Sequence, residues 1–550
     1  MDILKSGNPV DRKKIVVMSP FPVYPPIHGG QQRIFHLYRY FAKWFDIEVL
    51  SISYGIRKVC KLKIAPGMWE IRVPRSNEHK VYEDNLNKEI GAYVGDIALI
   101  DLYKYSDRYI DALKNSSENA EVVIVSHLFL YPAVKRTDVK RVWYDSHNVE
   151  YLLRKQTLGD KPKCNKLLDR LKEIEKECCN HSELILTCSQ GDALKFNELY
   201  GVEIEKTVVV PNGVPIELTG FFMPDKRIEL KREYRATDEL VAVFLGSGHI
   251  PNIIAANSII NLAERLPNIH FTIIGPVGNY CNKADKTPNV QITGTLDDNE
   301  KNRILSYADV ALNPIPYGSG TNLKMLEYFA FGIPVISTAV GIRGLSVENG
   351  KQVMICETAE FEQKLKEFEE YSLSERSELV MNARMYVEQE FDWGIIANST
   401  MEYLDSNGIL KRPDMGVISD ELIRKKNDYL SYSSNAQLIL EDVYPRPIMI
   451  WGAGNGGRML LRNLMKLGIK IYGFIDSDAG KEGTCIENLK IYQPDFLIEK
   501  IGKEKPFIII ASMYSEEIRA KLMVLGYVDG QDYIEQDIDN SFLCLVSKSE

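Results

Sequence analysis

Residues 313–345 read NPIPYGSGTNLKMLEYFAFGIPVISTAVGIRGL, and their types and spacing suit one kind of chemistry. A Gly-Ser-Gly loop opens a helical pattern carrying Asn322, Lys324 and Glu327 on its first turns. Free backbone N–H groups at a helix N-terminus, with the positive end of the dipole, suit a diphosphate. Lys324 adds a point charge, and Glu327, one turn along, adds a carboxylate able to accept from ribose hydroxyls. Ser319, Gly320, Thr321 and Asn322 bring further backbone and side-chain donors to the loop. The combination implies a nucleotide-sugar site.

Other small or titratable residues fall where strands end. Gly246, Ser247 and Gly248 follow the apolar run LVAVFL, and small residues there let a diphosphate approach the backbone. Gly29 and Gly30 lie between the first strand, KKIVVMSP, and a helix, with Arg33 just inside that helix, set to meet a phosphate or to be solvated. His127 ends VVIVSH, while Asp145, His147 and Asn148 end RVWYDSH. Asp145 either lines the same rim or caps the following helix. A strand-end histidine by itself is more often structural. Far along the chain, Gly452, Gly454 and Gly457 form a GxGxxG after a strand, with Asp476 closing the next strand. That order suits a nucleotide whose ribose meets the acid.

These residues need strands to end beside one another, and the pattern supplies them. Apolar runs alternate with helical patterns, which indicates parallel sheets buried on both faces. The fold class is therefore α/β, with two large Rossmann-like domains and a third small one. The divisions read as a tail 1–13, a domain 14–205, a domain 206–404, a linker 405–444 and a domain 445–550. One helical stretch is expected across 149–180.

At 550 residues, 45% hydrophobic and 26% charged, the composition is that of ordinary globular protein. The net charge of −9 argues against nucleic acid as a partner. The nine cysteines form no CxxC pair, so a zinc site is not expected. No apolar run approaches the ~20 residues that span a bilayer, and residues 1–14 lack the apolar core of a signal peptide. A cytoplasmic location is expected. The basic Arg12, Lys13 and Lys14, with the aromatic residues of 38–45, could add peripheral contact at the inner face of a membrane.

Residues 14–404 resemble the GT-B glycosyltransferases, in particular the family-four-like retaining group. The resemblance is carried by Gly29-Gly30, YDSHNVEY at 144–151, VVVPNGV at 208–214, FLGSGHIPN at 244–252 and the 313–345 block, in that order. It implies an acceptor domain followed by a donor domain, and transfer of a hexose from a nucleotide-diphosphate sugar to a glycan or lipid-linked acceptor in surface polysaccharide biosynthesis. It also implies His127 facing the donor sugar, Lys324 on the diphosphate, Glu327 on the ribose, and no required metal. No DxD-like acidic pair follows a strand in either large domain, in keeping with the last point. One departure stands out: relatives often carry a glutamate eight residues before Glu327, where this chain has Ser319. It motivates the alternative of a non-catalytic nucleotide-sugar-binding scaffold. Residues 445–550 resemble the nucleotide-binding domain of sugar acyltransferases, with NAD or a nucleotide sugar as candidate ligand.

Overall fold

The computed structural model describes residues 12–26, 28–53, 56, 58–159, 162–235, 238–281, 287–296, 298–318, 322–413, 446–466, 470–499, 505–512, 514–528 and 532–535. Ser319, Gly320 and Thr321 lie outside these residues, as does most of the expected linker. The chain forms two compact units, Met1–Ile185 with Lys411–Glu550, and Leu186–Leu410.

The first sheet takes β1 (Lys14–Ser19), β2 (Asp46–Ser53), β3 (Cys60–Ala65), β4 (Met68–Pro74), β5 (Ala120–Ser126), β6 (Val142–Asp145), β7 (Leu184–Thr187) and β8 (Thr207–Val209). Their order is β3-β4-β2-β1-β5-β6-β7-β8, so the chain reverses its direction across the sheet between β1 and β5. β1 pairs in parallel with both β2 and β5. The hairpin β3–β4 is antiparallel. Its edge strand β3, CKLKIA, alternates polar with apolar residues because only one face is covered. The expected single helix across 149–180 is instead two, Glu150–Leu158 and Pro162–His181. Gly159, at φ 69°, ends the first, and Pro162 suits the start of the second.

The second sheet takes β9 (Leu240–Leu245), β10 (Ile269–Ile274), β11 (Val290–Gly294), β12 (Val310–Asn313), β13 (Val335–Ser337) and β14 (Met354–Ile355). The order β11-β10-β9-β12-β13-β14, with every pair parallel, places the topological switch between β9 and β12. All six residues of β9 are buried, which is why it reads as a continuous apolar run. The helix Leu323–Phe331 stops at Gly332, which takes φ 70°. Arg227 fixes that end. Its buried guanidinium donates to the carbonyl oxygens of Phe222, Leu305, Ala308, Phe331 and Gly332. Burial lowers its pKa only to about 9, so a cation sits where helices Asp298–Tyr307 and Leu323–Phe331 turn their negative ends.

The third sheet takes β15 (Ile448–Trp451), β16 (Gly473–Ile475), β17 (Cys485–Ile486), β18 (Leu489–Tyr492), β19 (Phe507–Ile510) and β20 (Tyr533–Glu535), in the order β17-β18-β16-β15-β19-β20. Its switch lies between β15 and β19. Three α/β sheets, nearly all parallel, thus replace the alternating runs of the sequence.

Candidate active site

Open α/β sheets hold ligands outside the carboxyl ends of strands at the switch. In the second unit that place lies after β9 and β12, and a chain of side chains joins the two loops there. Lys324 Nζ donates to Asn252 Oδ1 at 2.6 Å, and Asn252 Nδ2 donates to Ser247 Oγ at 2.8 Å. Nζ also stands 4.3 Å from the centre of the Phe244 ring. Burial, and next the positive charge of Arg343, lower the Lys324 pKa to about 7. The charge of Arg343 is thus felt at Lys324, and an anion between them would relieve that repulsion. The helices Ile250–Ala263 and Leu323–Phe331 both begin here, and neither N-cap side chain bonds to the first turn. Their leading N–H groups suit the same anion.

Arg343 carries no signal of its own in a sequence read one residue at a time. Its place between two glycines after the buried strand of PVISTAV is the only hint. The structure brings it to Gly318, where a Cβ would stand 2.7 Å from Arg343 Nη2. Glu327 is half-buried, and Lys301 Nζ holds its Oε1 at 2.7 Å.

Two expectations are corrected in this unit. Asn322 does not offer its amide to a ligand: it is buried and donates to Gly341 O at 3.1 Å and Asn313 Oδ1 at 3.3 Å. It fixes the loop instead. Gly246 is also buried, and a Cβ there would stand 2.6 Å from Val277 Cγ1. Its bareness serves packing against the segment after β10, while Ser247 and Gly248 are exposed.

In the first unit the switch lies after β1 and β5, and His127 stands there. Its φ of 63° and ψ of 134° are costly for a residue with a Cβ, about 1–3 kcal/mol. Strain of that kind clusters at functional sites. Nδ1 lies 3.1 Å from Glu150 Oε1, and the Glu175 carboxylate accepts from the N–H groups of Glu150 and Tyr151. His127 Nε2 has no hydrogen-bond partner among the described residues, and a Cβ on Gly30 would stand 3.4 Å from it. Gly30, without a side chain, lets the buried imidazole and the Phe21 ring pack against the helix start. Gly29 is exposed and Asn148 half-buried.

Arg33 is the third correction. It is buried, and its Nε and Nη2 donate to Asp145 Oδ1 at 3.0 and 2.7 Å. It is neither solvated nor open to a phosphate. Tyr38 and Ser126 complete the carboxylate at 3.1 Å each, so Asp145 caps no helix. Burial alone would raise the Asp145 carboxyl, yet Arg33 and then His147 hold it well below the usual range. His147 itself is buried, 2.8 Å from Ser126 Oγ, with its ring centre 3.8 Å from that of His127. Burial, and then His127, lower its pKa to about 3. It backs His127 as a neutral ring.

At the third sheet Gly452 takes φ 122°, and a Cβ on Gly457 would fall 1.8 Å from Gly452 O. Gly454 faces open space. Asp476 accepts from Ala453 N–H at 2.8 Å and pairs with Lys481 at 3.0 Å, so part of its acceptor capacity ties the glycine turn to the next strand.

Residues 215–369 match the family model described as glycosyl transferases group 1. The chain is a glycosyltransferase. Residues 444–531 match a second family model, described as C2185-like, N-terminal. No curated protein matches the sequence. Solved structures agree on the fold of this glycosyltransferase, which is that of the GT-B enzymes. It is similar to sucrose-phosphate synthase from Thermosynechococcus elongatus, with 14% identity, a TM-score of 0.58, and 72% of this chain and 99% of that one covered. Similar too is Anabaena HepE, solved in complex with UDP and glucose, at 13% identity and a TM-score of 0.51 over 72% and 100% of the two chains. WaaG, a glycosyltransferase involved in lipopolysaccharide biosynthesis, matches at 14% identity and a TM-score of 0.50 over 70% and 98%. No helix among the described residues is long and apolar enough to cross a membrane.

Proposed function

We propose that this glycosyltransferase moves a hexose, with retention, from a nucleoside-diphosphate sugar to a glycan or lipid-linked acceptor in building a surface glycan. The observation that carries the reading is the convergence of Lys324 and Arg343 on the glycine loop after β12. Breaking the glycosidic bond loads negative charge on the leaving diphosphate. Cations and N–H groups already fixed around it favour that transition state over the ground state. Glu327, steadied by Lys301, is proposed to accept from the ribose hydroxyls. His127, with its unpartnered Nε2, is proposed to face the transferred sugar. Retention then follows from front-face displacement assisted by the leaving phosphate. HepE with UDP and glucose, and WaaG in lipopolysaccharide biosynthesis, support the donor class and the surface role. Ser319, Gly320, Thr321, Ser247 and Asn148 are proposed substrate contacts. Gly452, Gly454, Gly457 and Asp476 are proposed to hold NAD or a nucleotide sugar at the third sheet.

Lys324→Ala tests this reading. Turnover with a panel of UDP-, GDP- and ADP-hexoses is expected to fall by far more than tenfold while the circular dichroism spectrum is unchanged. Near-normal transfer would remove the diphosphate assignment. Titration heat without product in the unaltered protein would favour the scaffold that Ser319 suggests.

A further inference from the structure

In the second unit Tyr280 ends the turn Pro276–Tyr280, which follows β10, the strand beside β9. The turn is pinned to the loop after β9. Val277 and Cys281, on either side of it, are buried. Val277 N–H donates to Gly246 O at 3.2 Å, and Cys281 Sγ donates to Val277 O at 3.4 Å. Gly275, at φ 109°, begins the turn, and a Cβ there would overlap Gly246 O. So close a fit brings Tyr280 against the next glycine of that loop: a Cβ on Gly248 would stand 3.1 Å from Tyr280 Cε2 and 3.6 Å from its Oη. The residue is nonetheless 52% exposed, and no hydrogen bond, ion pair or ring contact engages it among the described residues. A fixed turn thus sets one edge of a phenol on a glycine and leaves the rest of the ring to solvent. A flat ring with few rotamers to lose is suited to stacking.

Its place in the sheet says what would stack. Gly248 directly follows Ser247, whose Oγ begins the chain of side chains through Asn252 to Lys324. The strand order is β11-β10-β9-β12, so a diphosphate at Lys324 lies at the ends of β9 and β12. Glu327, the proposed ribose acceptor, pairs with Lys301, near the start of the helix Asp298–Tyr307 that follows β11. A nucleotide held this way leads from β12 toward β10 and β11, and the group beyond its ribose is the base. On the loops after β10 and β11, Tyr280 is the exposed aromatic side chain among the described residues. Tyr317 is exposed as well, but it belongs to the loop after β12, where the diphosphate is placed.

We propose that Tyr280 is a substrate-binding residue whose ring stacks on the nucleobase of the donor. The assignment rests on the nucleotide-sugar reading above and adds the residue that holds the nucleoside end. Every base has a π face, so the ring raises affinity for a nucleotide over bare pyrophosphate and leaves the choice among bases to other contacts.

Isothermal titration of the full chain with UDP, GDP, ADP and pyrophosphate tests it, in the unaltered protein and in Tyr280→Ala and Tyr280→Phe. Loss of one base–aromatic stack predicts that Tyr280→Ala binds the tightest of the three nucleotides on the order of tenfold more weakly. Pyrophosphate affinity is expected to be equal in all three proteins, and Tyr280→Phe, which keeps the ring, to hold the nucleotide within about twofold of the unaltered protein. Unaltered nucleotide affinity in Tyr280→Ala would overturn the proposal. So would a fall that pyrophosphate shares, which marks a collapsed loop, or a Tyr280→Phe as weak as Tyr280→Ala, which marks the hydroxyl. An unaltered protein that binds no nucleotide more tightly than pyrophosphate would overturn it too. Failure of the underlying reading shows separately, as full pyrophosphate affinity in Lys324→Ala, because Tyr280 is read from the ratio of nucleotide to pyrophosphate affinity.

Discussion

Raising the pH should weaken nucleotide binding in a way that only Lys324 explains. In the ligand-free protein its pKa is lowered to about 7, first by burial and then by Arg343. A bound diphosphate favours the ammonium form, so binding above neutrality takes up a proton. With that pKa, about one Lys324 in eleven is charged at pH 8 and about one in a hundred at pH 9. Affinity that requires the ammonium should therefore fall about tenfold from pH 8 to pH 9. UDP is a suitable probe, because its terminal phosphate titrates near pH 6, below the window. Isothermal titration in two buffers of different ionisation heat should report about 0.9 proton taken up per UDP at pH 8. Lys324→Arg keeps its charge throughout and should lose the slope. The sign for stability is opposite. The unfolded lysine titrates near 10.5, so between pH 7 and that value the unfolded chain holds more protons, and this contribution to stability rises with pH. A UDP affinity that is level from pH 7 to pH 9, or a slope that survives in Lys324→Arg, would refute the reasoning.

Further outcomes follow from the same geometry. Arg343→Ala should weaken UDP binding about tenfold while leaving the melting temperature nearly unchanged, as expected of a lost charge-assisted contact; unchanged titration curves would remove Arg343 from the site. Gly30→Ala should slow transfer at least tenfold, since its Cβ would stand 2.8 Å from the Phe21 ring and crowd His127 Nε2, whereas UDP affinity holds. Asp145→Asn should cost about 3–5 kcal/mol in denaturant unfolding, because it leaves the buried Arg33 without its counter-charge. A shift below about 1 kcal/mol would show that the pair is solvated. Gly457→Ala should lower stability and abolish any NAD or nucleotide-sugar binding at the third sheet that equilibrium dialysis detects, because its Cβ would overlap Gly452 O.

The sequence by itself determined the layers. Apolar runs such as LVAVFL could only be strands covered on both faces, and the Gly-Ser-Gly turn before Leu323 could only begin a helix. Local chemistry also placed Lys324 at a helix start and His127 at the end of a strand. Tertiary structure decided which charges are spent inside. Arg33 and Asp145 are 112 residues apart, and nothing local distinguishes this buried pair from a solvated arginine and a helix cap. Asn252 meets Lys324 across 72 residues because strand order, not spacing, makes β9 and β12 neighbours. Arg343 reaches Gly318, and Glu150 reaches His127, through the same kind of tertiary placement. The cost of burying a polar group is settled by partners that the chain brings from afar, so the folded topology alone could say which side chains remain for a ligand.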